Sequence, residues 1–250
     1  MKPVHLLLLA APLALVACAG QTTSVHIGPS YARARGDIAL ADSGGGIPSA
    51  NSFQGSLGVG ERERGAYVRG QWDLDRHRVK MSTLFSNSAG TTVLDRPYGD
   101  IAAGTTVSAD LDFTAIVANY SYELVREDQY RFAAGGQLGY YSMDLGLRSA
   151  TGFEQLETGG YMPMPYVEAE AFVGDFTFGA GGGFMIGPFG DSEGRYWDIE
   201  TYTNWNLDGQ WDVRGGYRYI VLDGDGTATG RDFDAMIDVQ GWFVTIGAIF

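Results

Sequence analysis

Acid–base chemistry near neutral pH needs a side chain that titrates there, and this chain has three histidines, His5, His26 and His77. His5 lies in an apolar leader, His26 stands shortly after it, and His77 sits in a short polar turn between Arg76 and Arg78. Ser86-Asn87-Ser88 has no histidine at a spacing that would activate a hydroxyl. Asp110/Asp112 and Asp198/Glu200 are pairs two residues apart, so each pair shares one face of a strand. Such pairs could divide general acid and general base work, or they could be solvated rim carboxylates or partners of buried cations. Asp223-Gly224-Asp225-Gly226-Thr227 through Asp234 places acids like those of a calcium loop, but Ala228 stands where that loop needs glycine and Asp closes it in place of Glu. An acidic hairpin loop is the expectation there. Gly179 to Gly183 lacks the Lys-Ser/Thr of a phosphate cradle and reads as small side chains within a strand. No catalytic residue, metal site or cofactor is expected.

The remaining reactive side chain is Cys18, the one cysteine, so no intrachain disulfide can form. It closes the run Leu15-Val16-Ala17-Cys18 at the end of an apolar segment that Lys2 opens. Charged start, short apolar run and small-residue end are the anatomy of an export signal. The run is shorter than the ~20 apolar residues of a spanning helix. Its last four residues resemble the lipobox of bacterial lipoproteins, which implies lipidation of Cys18. Cleavage at Ala17-Cys18-Ala19 as an ordinary A-x-A site, with loss of the cysteine, is the alternative.

Glycine contributes 37 residues and aromatics 13%. Glycine costs about 1 kcal/mol at each helical position, so this composition suits a bent, ring-studded sheet. The net charge of −13 argues against nucleic acid, which needs a basic face, and against polybasic docking on anionic lipid.

Period-two alternation, the mark of a strand with two unlike faces, recurs along the chain. It is clearest in Gly241 to Phe250, where Trp242, Val244, Ile246, Ala248 and Phe250 share one uniformly apolar face. Trp211 to Val221, Trp197 to Leu207, Phe176 to Ile186, Pro163 to Val173, Tyr130 to Tyr140, Ile116 to Leu124, Val79 to Phe85 and Ala66 to Leu74 repeat it. Phe53 to Val59 is a weaker tenth segment. Short turns are expected at Leu74 to His77, Arg126 to Gln129, Val173 to Phe176 and Leu207 to Gln210. Longer polar loops are expected at Asn87 to Thr106, Arg148 to Gly160, Gly187 to Gly194 and Asp223 to Asp234. That alternation of short and long connections is the outer-membrane pattern.

The fold expected is therefore all-β: a transmembrane antiparallel up-and-down β-barrel of about ten strands, with eight or twelve left open. A signal segment at 1–18, an N-terminal extension at 19–51 and the barrel at 52–250 complete the organisation. A soluble sandwich or lipocalin-like barrel is the competing fold, with the apolar faces turned inward. Apolar faces that begin and end on aromatics (Trp72, Tyr122, Trp205, Trp211, Trp242) favour lipid outside. The lumen then receives Arg69, Arg78, Lys80, Glu168, Glu170, Asp198, Glu200, Asp212, Arg214 and Arg218. Unpaired ions are too costly in a narrow cylinder, so an ionic plug is expected, with Glu168, Glu170, Asp198 and Glu200 answering Arg214 and Arg218. A narrow pore for small solutes and an outer-rim hydrolase are the alternatives.

The strand from Trp242 to Phe250 resembles the C-terminal assembly signal of outer-membrane barrels, which implies the barrel assembly machinery and outer-membrane lipids as partners. The span from Arg76-His77-Arg78 through Ala103-Gly104-Thr105-Thr106 to Tyr120-Ser121-Tyr122, and Gly216-Tyr217-Arg218-Tyr219 before an Asp-rich stretch, likewise resemble functionally uncharacterised outer-membrane β-barrel proteins of Gram-negative bacteria. That resemblance implies no particular activity and leaves any external partner open.

Overall fold

The computed structural model describes residues 21–189, 192–228 and 230–250. Cys18 and the signal segment lie outside the described residues. Ten long strands form the wall: β1 (Gln21–Leu40), β3 (Glu63–Leu74), β4 (His77–Val93), β5 (Thr106–Arg126), β6 (Tyr130–Ser149), β7 (Phe153–Val173), β8 (Phe176–Phe189), β9 (Ser192–Asn206), β10 (Trp211–Ala228) and β11 (Arg231–Ile249). A two-residue strand, β2 (Asn51–Ser52), adds to β1 within the connection that follows it. Every neighbouring pair is antiparallel, and β1 pairs with both β3 and β11, which closes the cylinder. The four short turns fall where the sequence places them.

Two expectations need correction. The segment read as an N-terminal extension, 19–51, contains β1, and this strand supplies the closing seam. Phe53 to Val59 is a buried turn instead of a strand, so the count of ten holds with a different tenth member. Within β1, Gly28 lets the chains meet: a Cβ there would fall 2.0 Å from the carbonyl oxygen of Val244. Pro29, with no N–H to give, accompanies the gap in the β1–β11 register between Ile27 and Ser30.

Three of the four expected polar loops are also largely strand, and the fourth, Asn87 to Thr106, gives its first seven residues to β4. β4 runs on to Val93 and β5 begins at Thr106; β6 and β7 are separated by three residues, Ala150 to Gly152; β10 reaches Ala228 and β11 starts at Arg231. β5 and β7 are 21 residues each, against the ~9–11 needed to cross a membrane. Roughly half of each strand therefore stands beyond the lipid.

Polarity inverts along the way. On β5 the inward residues begin as Val107, Ala109, Leu111, Phe113, Ala115 and Val117 and end as Asn119, Ser121 and Glu123. Its outward residues do the opposite: Ser108, Asp110, Asp112 and Thr114 give way to Ile116, Ala118, Tyr120, Tyr122 and Leu124. β6, β7, β10 and β11 change over in the same manner, with Asp144, Glu157, Asp223, Asp225, Asp232 and Asp234 facing outward beyond the apolar band. The half bearing the short turns is thus apolar outside and charged inside. The other half is a collar, polar outside and apolar inside, as water on its outer face requires.

The collar is stoppered. Phe53, Leu57 and Val59 from the β1–β3 connection and Leu94, Tyr98 and Ile101 from the β4–β5 connection are buried against Leu40, Leu145, Leu147 and Leu156. Ser43 N–H donates to Asp100 (2.9 Å), Asp100 N–H to Glu154 (3.1 Å), and Arg231 to Glu154 (2.8 Å), tying both connections to the wall. The Ser43 N–H, with Arg231 nearby, holds the Asp100 carboxyl below its ordinary range.

Candidate functional site

All ten charged residues expected in the lumen face it. Eight of them assemble into three groups. Glu168 is the hub of the first: Lys80 donates to it, as do Ser121 (2.9 Å), Arg131 (3.2 Å) and Tyr166 (3.2 Å). Arg131 also reaches Glu123 (2.7 Å) and Glu170 (2.9 Å), and Arg78 bridges Glu170 (2.8 Å) to Asp73. In the second, Arg69 donates to Glu200 at 2.6 Å and Tyr67 donates to its other oxygen at 2.5 Å. In the third, Arg218 holds Asp198 with two N–H groups (2.9 and 2.6 Å), and Tyr141 completes that carboxylate at 2.6 Å.

One expected set of partners is corrected. Among the described residues no carboxylate forms an ion pair with Arg214: its guanidinium lies over the Tyr202 ring at 4.1 Å, and its Nε and Nη1 have no hydrogen-bond partner there. Glu168, Glu170 and Glu200 answer Lys80, Arg131, Arg78 and Arg69 instead. Of the pairs assigned from sequence, Arg218 with Asp198 is present.

Sequence reading overlooked Arg131 and the buried tyrosines. Tyr67, Tyr141, Tyr166 and Tyr202 point inward and donate their hydroxyls to lumen carboxylates. Space for two of them comes from the glycine row of β8: a Cβ at Gly179 would meet Tyr202 at 2.2 Å, and one at Gly181 would meet the Tyr166 hydroxyl at 2.4 Å. His26, on the unforeseen strand, places Nε2 2.7 Å from Asp212, whose other oxygen accepts from Asn204 at 2.9 Å. His77 is exposed at the start of β4, just past the turn, and bonded to the Tyr120 hydroxyl at 2.8 Å.

The carboxylate pairs separate by location. Asp110 and Asp112 face water on the collar, with Asn87 bonded to Asp112. Asp198 and Glu200 face the lumen and are neutralised by different arginines. Asp223 and its neighbours are part of β10, where Asp223 pairs with Arg195. Between the groups the lumen keeps a cavity of about 30 Å³ lined by Arg69, Lys80, Asn119, Gln137 and Glu200. That is space for a water or two.

On the outside, Trp242, Val244, Ile246 and Phe250 are each more than half exposed, and Trp197, Trp205, Trp211, Tyr120, Tyr130 and Tyr161 join them. An apolar, aromatic-flanked outer band around a charged interior defines the class: a transmembrane β-barrel of the outer-membrane type. No family model matches the chain, and no curated protein matches it in sequence. Among solved structures, the outer-membrane protease OmpT of Escherichia coli is similar in fold, with a TM-score of 0.54 at 13% identity over 93% of this chain and 96% of that one. Ail, the attachment invasion locus protein of Yersinia pestis, gives a TM-score of 0.40 at 11% identity over 92% of this chain and 98% of that one. Such likeness speaks to the fold alone. The chain is an outer-membrane β-barrel protein.

Proposed function

We propose that this protein is a non-conducting outer-membrane barrel whose role is structural or interactive, and that its rigid acidic collar is the surface offered to external partners. The observation that carries this is the double filling of the cylinder. Within the membrane, ion pairs and tyrosine hydroxyls span the lumen; beyond it, an apolar core and two folded connections occupy the collar. Breaching the first plug would strand charges in a dry wall, at several kcal/mol per ion. Purified protein in planar bilayers is expected to give no channel current, and liposomes carrying it should swell no faster than empty ones. Stepwise conductance, or solute flux above the empty control, would overturn this reading in favour of a narrow pore.

Cys18 belongs to the same reading as a lipid attachment point that ties the start of β1 to the inner leaflet. Palmitate labelling of the wild-type chain and its loss in Cys18→Ser are the expected results. A mature protein that starts beyond Cys18 and carries no label would remove the anchor.

A further inference from the structure

The wall has an open seam between β7 and β8. Their ladder runs from Val173↔Phe176 to Tyr166↔Gly183 and stops, although β7 continues to Phe153 and β8 to Phe189. Each strand stays paired on its other side along that length, β7 with β6 and β8 with β9. The cause can be read from the backbone. Phe172 N–H donates to the Gln129 carbonyl on the β6 side, so even-numbered residues of β7 bond toward β6 and odd-numbered ones face β8. The next odd positions above the ladder are Pro165 and Pro163. Neither has an N–H to donate, so continuing the register opposite Phe184 and Ile186 would lose the bond that each of these positions ordinarily donates and keep only the one its carbonyl accepts.

Directly behind this seam lies a cavity of about 320 Å³. Met143, Met162, Leu222, Phe233 and Ile237 line it, and Gly159 and Gly160 on the free edge of β7 form part of its wall. The volume is at the lower bound of small-molecule sites, about 300–1,000 Å³. Its polar lining includes Ser142, Thr158, Asp225 and Thr227. The lips of the seam are apolar and face outward: Tyr161, Phe184 and Ile186 are 62%, 51% and 66% exposed. They lie at the collar end of the lipid-facing band, where the Tyr161 ring packs tilted against Tyr140 with centroids 5.0 Å apart.

We infer that this cavity binds a single-chain amphiphile drawn from the outer leaflet through the β7–β8 seam. The chain lies among Met143, Met162 and Phe233, and the head group stays at the Thr158, Asp225 and Thr227 border. An opening whose lips touch lipid admits a molecule already dissolved in lipid. Acidic Asp225 at the border selects a neutral or cationic head group over a carboxylate. This goes beyond the closed-lumen reading, because the cavity sits in the collar and a ligand there crosses nothing.

The test uses the full chain in phosphatidylcholine nanodiscs, with dodecylamine as probe and dodecanoate as the head-group comparison, followed by methionine-methyl NMR. Met143 and Met162 report the cavity; Met81 and Met236, which face outward, report general partitioning. Saturable shifts at Met143 and Met162 with dodecylamine are expected, with dodecanoate about tenfold weaker. Pro163→Cys combined with Ile186→Cys locks the seam when oxidised: the shifts should vanish and return on reduction. Ala235→Phe, which fills the cavity from β11, should abolish them without any lock. Shifts confined to Met81 and Met236, or cavity shifts that persist in both the oxidised lock and Ala235→Phe, would overturn the site.

Discussion

Glu168→Ala is expected to destabilise the folded barrel by about 3–5 kcal/mol, the cost of leaving a buried ion without its partner. Glu168 is almost wholly buried and takes Lys80, Arg131, Ser121 and Tyr166 onto its two oxygens. Truncating it strips Lys80 of its carboxylate while leaving Arg69 and Arg78 nearby, so the loss is more than one pair. Urea unfolding in phospholipid vesicles, followed by the gel shift between folded and heated forms, measures it. Arg214→Met is the matched comparison. Arg214 has no carboxylate ion-pair partner among the described residues and rests on Tyr202, so its removal relieves a desolvation cost and should leave the midpoint unchanged or raised. If Glu168→Ala unfolds at the wild-type midpoint, the network is ornament to a barrel held by its wall alone. If Arg214→Met falls as far as Glu168→Ala, the distinction between paired and unpaired lumen ions is lost.

What the sequence made legible, and what it hid, follows from the two solvents that bathe the outer wall. Inside the membrane the outward face is apolar, and Trp211 to Val221 or Trp242 to Phe250 announce themselves as strands. Beyond the lipid the alternation continues with its sign reversed. A reading that follows the apolar row of β5 back from Leu124 ends at Ile116, because Thr114, Asp112 and Asp110 now face water. The inward row, Val107 to Val117, carries the signal from there, and nothing in one face alone says that the roles have exchanged. β1 fails for a related reason. Its outward apolar set, Val25, Ile27 and Tyr31, is short, is interrupted by Pro29, and passes at once into Arg33, Arg35 and Asp37. Arg131 escaped because only the apolar row of its strand was followed.

Which lumen residues face one another was beyond sequence for a geometric reason. The direction of each side chain follows from parity, so Arg69, Arg78, Lys80 and the four acids of β7 and β9 could be placed inside. The partner across the barrel depends on strand tilt and stagger. Arg78 meets Glu170 across 92 residues and Arg69 meets Glu200 across 131, and no local spacing encodes either encounter. Charge balance required a network without naming its edges.

The inversion of polarity makes its own prediction, and β11 contains every arm of the test. Ile246 faces lipid, midway between Trp242 and Phe250, and Ile246→Arg should cost about 2–4 kcal/mol, as charges at the bilayer midplane of barrels do. Asp234 shares that outward parity but stands on the collar, so Asp234→Leu should change stability by no more than about 0.5 kcal/mol, as at ordinary wet surfaces. Ile237 points inward among the collar's apolar side chains, and Ile237→Asp should cost more than about 4 kcal/mol, the range of an unpaired charge buried in a core. A uniform barrel, lipid-clad over its whole height, predicts instead that Asp234→Leu stabilises strongly and that Ile237→Asp is tolerated in a polar lumen. The signs at these two positions, read from urea midpoints in the same vesicles, decide between a wall with one outer solvent and a wall with two. Only the second explains why a chain with so much strand keeps its acidic residues on one end of the outer surface and its paired ions at the other end of the interior.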